Sequence, residues 1–387
     1  MSARFIPRRP GGFSLIELMV SIVIGLLAIL FATKIMTDSE RNKDGALGGS
    51  DSMQNGMMAM FSISADAEQA GFGLNDPILA GCDTDFYDDN GYELATAKRG
   101  TTDVNPLAAA VIVNGGSKSD EISFYSGSSA GGTISLRLIS NYQGGSQLFT
   151  DRVPYGFAKG DVFVVAPEDG VGRCALAQVS AITEGASPAI SFNDTADRYN
   201  NGDLKRTFAG SATRVFNLGP GAGLSLHTWL VDKGVLRVRA TNMGGSGEPQ
   251  AVADNVVAIK AQYGFDKRGA DFDPEQGMQV EEWSSDMIDA DGDGVTGGAG
   301  DYQRVAAVRL AVVARNRTPE RPAANGACSA TTAPIEVFKS KQPSSVKAVP
   351  VELDLSDAAA DVSWTCYRYR AFETIVPLRN AGWRPSA

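Results

Sequence analysis

The stretch Gly11-Gly12-Phe13-Ser14-Leu15-Ile16-Glu17-Leu18-Met19-Val20 decides how this chain is built. Arg4, Arg8 and Arg9 precede it, and an apolar run continues to Thr33 in which Glu17 is the only ionisable residue. At ~1.5 Å per residue, residues 13–33 make a helix of about 30 Å, the thickness of a bilayer's hydrocarbon core. A secretory signal carries its small residues after the hydrophobic core, whereas Gly11 and Gly12 stand before it, so a cut here keeps the apolar segment. The positive-inside rule puts the basic leader in the cytoplasm and everything beyond about Lys34 outside.

Glu17 needs a partner, because a carboxylate at bilayer depth costs at least ~2.5 kcal/mol. Cleavage after Gly12 creates a positive amine on Phe13, and in a packed bundle the Glu17 of one subunit can pair with the Phe13 amine of its neighbour. The plainer reading is a single-pass anchor with Glu17 near the headgroups. In these residues the chain resembles the type IV prepilin class, whose leaders end in glycine, whose mature chains begin with an N-methylated phenylalanine and whose fifth mature residue is glutamate. The resemblance implies cleavage after Gly12 by a prepilin peptidase, N-methylation of Phe13 and an assembly role for Glu17.

The chain has 387 residues, enough beyond its N-terminal helix for a large head or two modest domains. Losing the three leader arginines from 35 Lys and Arg, against 45 Asp and Glu, leaves a mature charge of −13. That balance argues against nucleic acid as the main ligand. Cys82, Cys174, Cys328 and Cys366 all fall in the exported part, where an oxidising compartment pairs thiols. Four cysteines allow three connectivities. Cys82–Cys174 with Cys328–Cys366 is favoured, since each bridge closes a loop within one half of the head. No two cysteines have the two- to four-residue spacing of structural zinc sites.

The polar residues 34–44 can carry the helix out of the bilayer. Gly45, Gly48 and Gly49 each cost ~1 kcal/mol in a helix interior, so a kink or local melting is expected there. Helical spacing resumes with Met53, Met57, Met60, Phe61 and Ile63, read as a stripe packing on the head, and ends at Ala70-Gly71-Phe72-Gly73. Beyond Asn75 the texture is short strands at 109–113, 122–125, 133–138, 162–165 and 189–192, with loops dominating 115–145. Residues 224–231 and 235–239 flank Asp232-Lys233-Gly234 as a hairpin whose glycine takes the positive φ. Residues 305–313 and 367–376 read as long strands, and 317–350 as a surface loop pinned through Cys328. The expected fold is α+β, a transmembrane and scaffold helix followed by a β-rich, disulfide-stapled head. Its parts are a leader at 1–12, a transmembrane helix at 13–33, a helical stalk at 34–73 and the head at 74–387.

Five motifs carry a second resemblance: Ala70-Gly71-Phe72-Gly73 with Gly81-Cys82; Val256-Val257-Ala258-Ile259-Lys260-Ala261-Gln262-Tyr263-Gly264; Val305-Ala306-Ala307-Val308-Arg309-Leu310; Tyr367-Arg368-Tyr369-Arg370; and Phe372-Glu373-Thr374-Ile375-Val376-Pro377-Leu378-Arg379-Asn380. Together they look like the PilW family of type IV minor pilins. The resemblance implies an inner-membrane pilin that joins other minor pilins and the major pilin in a priming or tip complex, often beneath a PilY-type adhesin, with roles in pilus assembly and cell adhesion. The J-class pseudopilin of type II secretion shares the N-terminal pattern but is usually much shorter.

Asp289-Ala-Asp291-Gly-Asp293-Gly294 has the first half of a calcium loop, with ligands at positions 1, 3 and 5 and a turn glycine at 6. Position 12, where a bidentate glutamate belongs, is Gly300, and Asp301 follows one place late. Calcium at Asp289, Asp291, Asp293 and Asp301 stands against an acidic solvated turn. No catalytic residue is assigned. The single histidine, His227, sits mid-strand and reads as structural, and no Gly-x-Ser-x-Gly, phosphate loop or HExxH occurs. A membrane-tethered carboxylate-pair hydrolase is the remaining enzyme reading.

Overall fold

The computed structural model describes residues 14–128, 135–170, 172–194, 196–243, 247–269, 277–323, 325–356 and 362–380, with the backbone alone at 38 and 40–48. Its first element is one helix, α1, running 55 residues from Leu15 to Gln69. The helix does not melt at Gly45–Gly49: the backbone is helical through Gly45, Gly48 and Gly49. Once a helix is nucleated each further residue adds a hydrogen bond, so three glycines with long helical flanks lose stability without breaking the run. Gly71 and Gly73, with φ of 83° and 72°, then end it in the left-handed conformation.

The chain divides into two compact units, Met1–Asp51 and Ser52–Ala387. In the first, the side chains described from Leu15 to Thr37 are all exposed. The second begins inside the helix, and its Ser52–Gln69 segment is part of the head.

Among the six sheets of the described residues, the three largest build most of the head. The first has the order Pro106–Leu107, Cys82–Asp85, Cys174–Gln178, Asp161–Pro167, Thr213–Pro220 and Ser135–Arg137, and its one parallel pair is Cys82–Asp85 with Cys174–Gln178. The second runs Gln250–Asp254, Val235–Ala240, Ser225–Asp232, Glu121–Ser126 and Ala110–Val113, all antiparallel. The third runs Glu282–Ser284, Val256–Phe265, Val305–Arg315 and Tyr369–Pro377. At the hairpin both Lys233 (φ 50°) and Gly234 (φ 78°) are left-handed, a type I′ turn that needs more than the glycine alone. One loop assignment changes. The 115–145 region holds Glu121–Ser126 and Ser135–Arg137 where strands were expected at 122–125 and 133–138, but the 317–350 region, read as a loop, holds Ile335–Val337, paired with Val351–Leu353.

The second and third sheets share one core with the helix. Ala59, Ile63, Ala67 and Ala70 meet Ile122, Phe124, Trp229 and Val238 from the second sheet and Ile259, Tyr263, Val308 and Leu310 from the third. Only part of the stripe read from the sequence is that face: Ile63 is buried in this core and Met60 packs against it, whereas Met53, Met57 and Phe61 are 45, 54 and 76% exposed. Sheets approach a helix closely where its side chains are small, so the buried ridge is Ser52, Gly56, Ala59, Ile63, Ala67 and Ala70. The strands Val256–Phe265 and Val305–Arg315 are covered on both faces, because Val257, Ala311 and Val313 pack under Val337, Phe338 and Leu353 on the side away from the helix core. Their near-continuous apolar sequence follows from that double burial.

Cys82 is bonded to Cys174 with Cα atoms 6.0 Å apart, and Cys328 to Cys366 with Cα atoms 4.8 Å apart. These are the pairings favoured from the sequence. The first joins the two parallel strands of the first sheet, and the second ties the Pro- and Ala-rich segment to residues preceding the last strand.

Candidate functional site

Within the apolar run, the polar groups bond back onto the helix. Glu17 Oε2 accepts the Ser14 N–H at 3.1 Å, Ser21 Oγ donates to Glu17 O at 2.6 Å, and the Thr33 and Thr37 hydroxyls donate to Ile29 O at 3.0 Å and Thr33 O at 2.7 Å. Back-bonding of this kind leaves the hydroxyls with partners where no water is available. The described Leu15–Thr37 segment is long and apolar enough to cross a membrane. Gly12 and Phe13 lie outside the described residues.

At the other end of the helix, Asp66 is held by the second sheet. Its Oδ2 accepts from His227 Nδ1 at 2.7 Å and from Trp229 Nε1 at 2.8 Å. His227 and Trp229 alternate along Ser225–Asp232, so both point to the face that meets the helix. On the far side of the ring, Nε2 faces Asn242 Oδ1 at 2.7 Å and Ser225 Oγ at 3.0 Å. Ser225, His227 and Asp66 are thus ordered like a nucleophile, base and orienting acid, but Asn242 Oδ1 calls for a proton on Nε2. Burial lowers the proton affinity of His227, and the Asp66 carboxylate and Asn242 outweigh it, raising the ring above its ordinary value. With Asn242 Oδ1 facing Nε2, a hydrogen on that nitrogen leaves it no lone pair with which to take a proton from Ser225.

The acidic loop is folded on itself. Oxygens of Asp289, Asp291 and Asp301 converge within 4.8 Å of one another, while Asp293 stands outside that trio. Most of them already accept backbone N–H groups. Asp289 takes Gly292 at 2.8 Å and Gly294 at 3.0 Å, Asp291 takes Asp293 at 3.1 Å, and Asp293 takes Val295 at 2.7 Å. The fully buried Asp301 accepts from Ala290, Asp291, Gly297 and Gly298. Burial is the largest influence on Asp301 and raises its carboxyl, against the Ala290, Asp291 and Gly297 donors. A carboxylate offers about four lone-pair sites, so Asp301 has little left for a metal. Asp289 and Asp291 could still contribute oxygens to a hard cation. The loop therefore fits calcium in part, short of the 6–8 oxygens it takes.

Residues 7–33 match the family model of the prokaryotic N-terminal methylation motif, and residues 230–380 match the model described as type IV pilus-assembly protein W, PilW. The two matches support a type IV pilus minor pilin of the PilW family. Neither a curated protein nor a solved structure matches the chain. As a pilin with a prepilin motif it is anchored through its N-terminal apolar helix and works with the pilus-assembly machinery and other pilins.

The PilW-matched region contains the whole third sheet, the acidic loop and the Cys328–Cys366 bridge, while the first sheet and Cys82–Cys174 precede it. Its motif residues Lys260 and Arg309 are buried charges with dedicated partners. Lys260 pairs with Asp120, both fully buried, and donates to Gly116 O at 2.9 Å and Lys118 O at 3.2 Å. Burial is the main influence on Asp120 and raises its carboxyl in spite of Lys260. Arg309 lies over the rings of Trp283 and Phe338, at 4.9 and 4.6 Å, with Nε on Gln262 Oε1 at 2.7 Å, and burial lowers it to about 10. Asp66 and Asp120 carried no local sequence signal. The signal available was their partners: a histidine and a lysine inside otherwise apolar strands need acids from elsewhere in the chain.

Proposed function

We propose that this minor pilin crosses the inner membrane once with its head in the periplasm, is cut after Gly12 by prepilin peptidase, and joins other minor pilins in a complex that primes the pilus and stays at its tip beneath a PilY-type adhesin. The observation that supports this reading is the build of α1. One unbroken 55-residue helix begins as bare apolar surface and ends as part of the core of a large, disulfide-stapled head. Assembly can transfer the apolar part from lipid to neighbouring helices, where the Phe13 amine of one subunit answers the Glu17 of another. A head of this size repeated along a shaft would crowd its neighbours, and a single copy at the end avoids the conflict.

The test is to delete the gene, count surface pili and locate a tagged, complementing chain on sheared fibres by immunogold. Loss of pili with label confined to fibre ends, and co-purification of the full-length chain with co-expressed minor pilins from detergent, is the expected result. Label spaced along the shaft would rule out the tip. Normal piliation with lost protein secretion would move the chain to the J-class pseudopilins.

A further inference from the structure

His227 is the chain's only histidine, 9% exposed, and it joins three separate stretches of sequence. Asp66 comes from α1, His227 from Ser225–Asp232, and Asn242 lies just past the end of Val235–Ala240. A carboxylate is acceptor-only, so Nδ1 carries a hydrogen for Asp66 at 2.7 Å. An amide oxygen is also acceptor-only, and Asn242 Oδ1 stands 2.7 Å from Nε2. Both ring nitrogens donate, which is the imidazolium arrangement, and Asp66 supplies its counter-charge. Remove the proton from Nε2 and two lone pairs face each other. The Asn242 amide must then turn, or Nε2 must take the Ser225 hydroxyl instead.

We propose that His227 is a proton-operated latch: protonated, it ties Asp66 on the last turns of α1 to Asn242 at the head surface, and deprotonated, it lets Asn242 go. The charged surroundings make Asp66 the controlling group. On its own strand the ring's neighbours on the same face are Ser225 and Trp229, and its register partners across the sheet are Phe124 and Ala240. Arg239 and Glu121 pair with each other at 2.8 Å, and Arg239 is in register with Thr228, which points to the opposite face from His227. Asn242 is exposed, so the latch reports at the surface, where turning the amide exchanges an outward donor for an outward acceptor. The inference concerns the head alone and does not depend on a place at the pilus tip.

A lone histidine makes the test direct. The full-length chain, carrying a tag without histidine and held in detergent, gives one imidazole C–H resonance to follow by NMR between about pH 5 and pH 9. The expected result is one titration with its midpoint above that of free histidine, lowered about tenfold or more in proton affinity by Asp66→Asn. Backbone amides of residues 62–69, corrected for intrinsic exchange, should exchange more slowly below the midpoint than above it. Should Asp66→Asn fail to fold, the exposed Asn242→Ala serves: it removes the acceptor from Nε2 and should also lower the midpoint. A resonance that does not titrate, a midpoint at the free value, or a midpoint unmoved by Asn242→Ala overturns the latch.

Discussion

The ring of Phe372 fills the space that a side chain on Gly56 would need. A Cβ built at Gly56 would stand 2.1 Å from Phe372 Cε2 and 2.6 Å from Cδ2. Gly56 lies on the buried ridge of α1, and Phe372 on the last strand of the third sheet, so this contact sets how closely helix and sheet approach. In an exposed helix, Gly→Ala gains up to ~1 kcal/mol from propensity. Here Gly56→Ala should lower stability by about 1–3 kcal/mol, the usual cost of overpacking. Melting curves of Gly56→Ala alone and combined with Phe372→Leu check this, with the smaller partner restoring most of the loss.

What could be read in the sequence was whatever local periodicity or chemistry encodes. The apolar run, the left-handed glycines that end α1, the 232–235 hairpin and the long strands of the third sheet are local signals, and the structure has them in place. Facing is a different matter. Met53, Met57 and Phe61 have helical spacing and the right hydrophobicity, yet they lie outside, because the sheet selects for small side chains and periodicity alone cannot say which stripe is covered. The strand inside 317–350 was hidden for a related reason: short segments take strand form from their pairing partners, as Ile335–Val337 does from Val351–Leu353. The buried pairs Asp66–His227 and Asp120–Lys260 join residues far apart in the chain, and nothing in either segment alone names the other.

Reduction should destabilise the head in two unequal steps. Each bridge is worth about 2–5 kcal/mol, and the wider loop more, since the Cys82–Cys174 separation is 92 residues against 38 for Cys328–Cys366. Loop entropy makes the difference about 0.8 kcal/mol. Calorimetry of Cys82→Ser with Cys174→Ser, beside Cys328→Ser with Cys366→Ser, reads the order. Mass mapping without reductant should show both bridges and no free thiol.

Stability should also carry a signature of His227. Its proton affinity is raised in the folded head, so its contribution is complete below the ~6.5 of an unfolded histidine and disappears as pH rises through the higher folded value. Chemical denaturation across that window should show wild type losing stability relative to His227→Gln as pH increases. Parallel curves for the two proteins would mean that the ring does not titrate between folded and unfolded states.

Asp301 should be the costliest acid in the 289–301 loop to replace. Asp301→Asn turns an acceptor of four backbone N–H groups into a side chain that is half donor, and each buried donor left without a partner costs about 1–3 kcal/mol. Asp293→Asn, at an exposed position, should change stability by less than about 0.5 kcal/mol. Calcium titration separates turn-making from metal holding. A heat of binding that vanishes in Asp289→Asn with Asp291→Asn would show their spare lone pairs recruited by the ion, and silence at millimolar calcium would assign them to the loop alone.

Processing and assembly should be separable at the N-terminus. Gly12 precedes the cut that the methylation motif implies, so Gly12→Leu should leave a precursor longer by the leader, and N-terminal sequencing that still finds Phe13 would refute this. Glu17 acts later. In the helix its carboxylate takes the Ser14 N–H, a weak local partner that does not neutralise its charge. On the proposed assembly reading a neighbouring subunit's amine is the full partner, since a lone carboxylate at bilayer depth costs at least ~2.5 kcal/mol. Glu17→Ala should therefore insert in the membrane and be cleaved normally, yet be recruited poorly into pili. Glu17→Gln keeps the hydrogen bonding and loses the charge, so equal failure of both variants would place the requirement in the charge. If Glu17→Gln assembled normally while Glu17→Ala did not, the hydrogen bond would be what assembly needs.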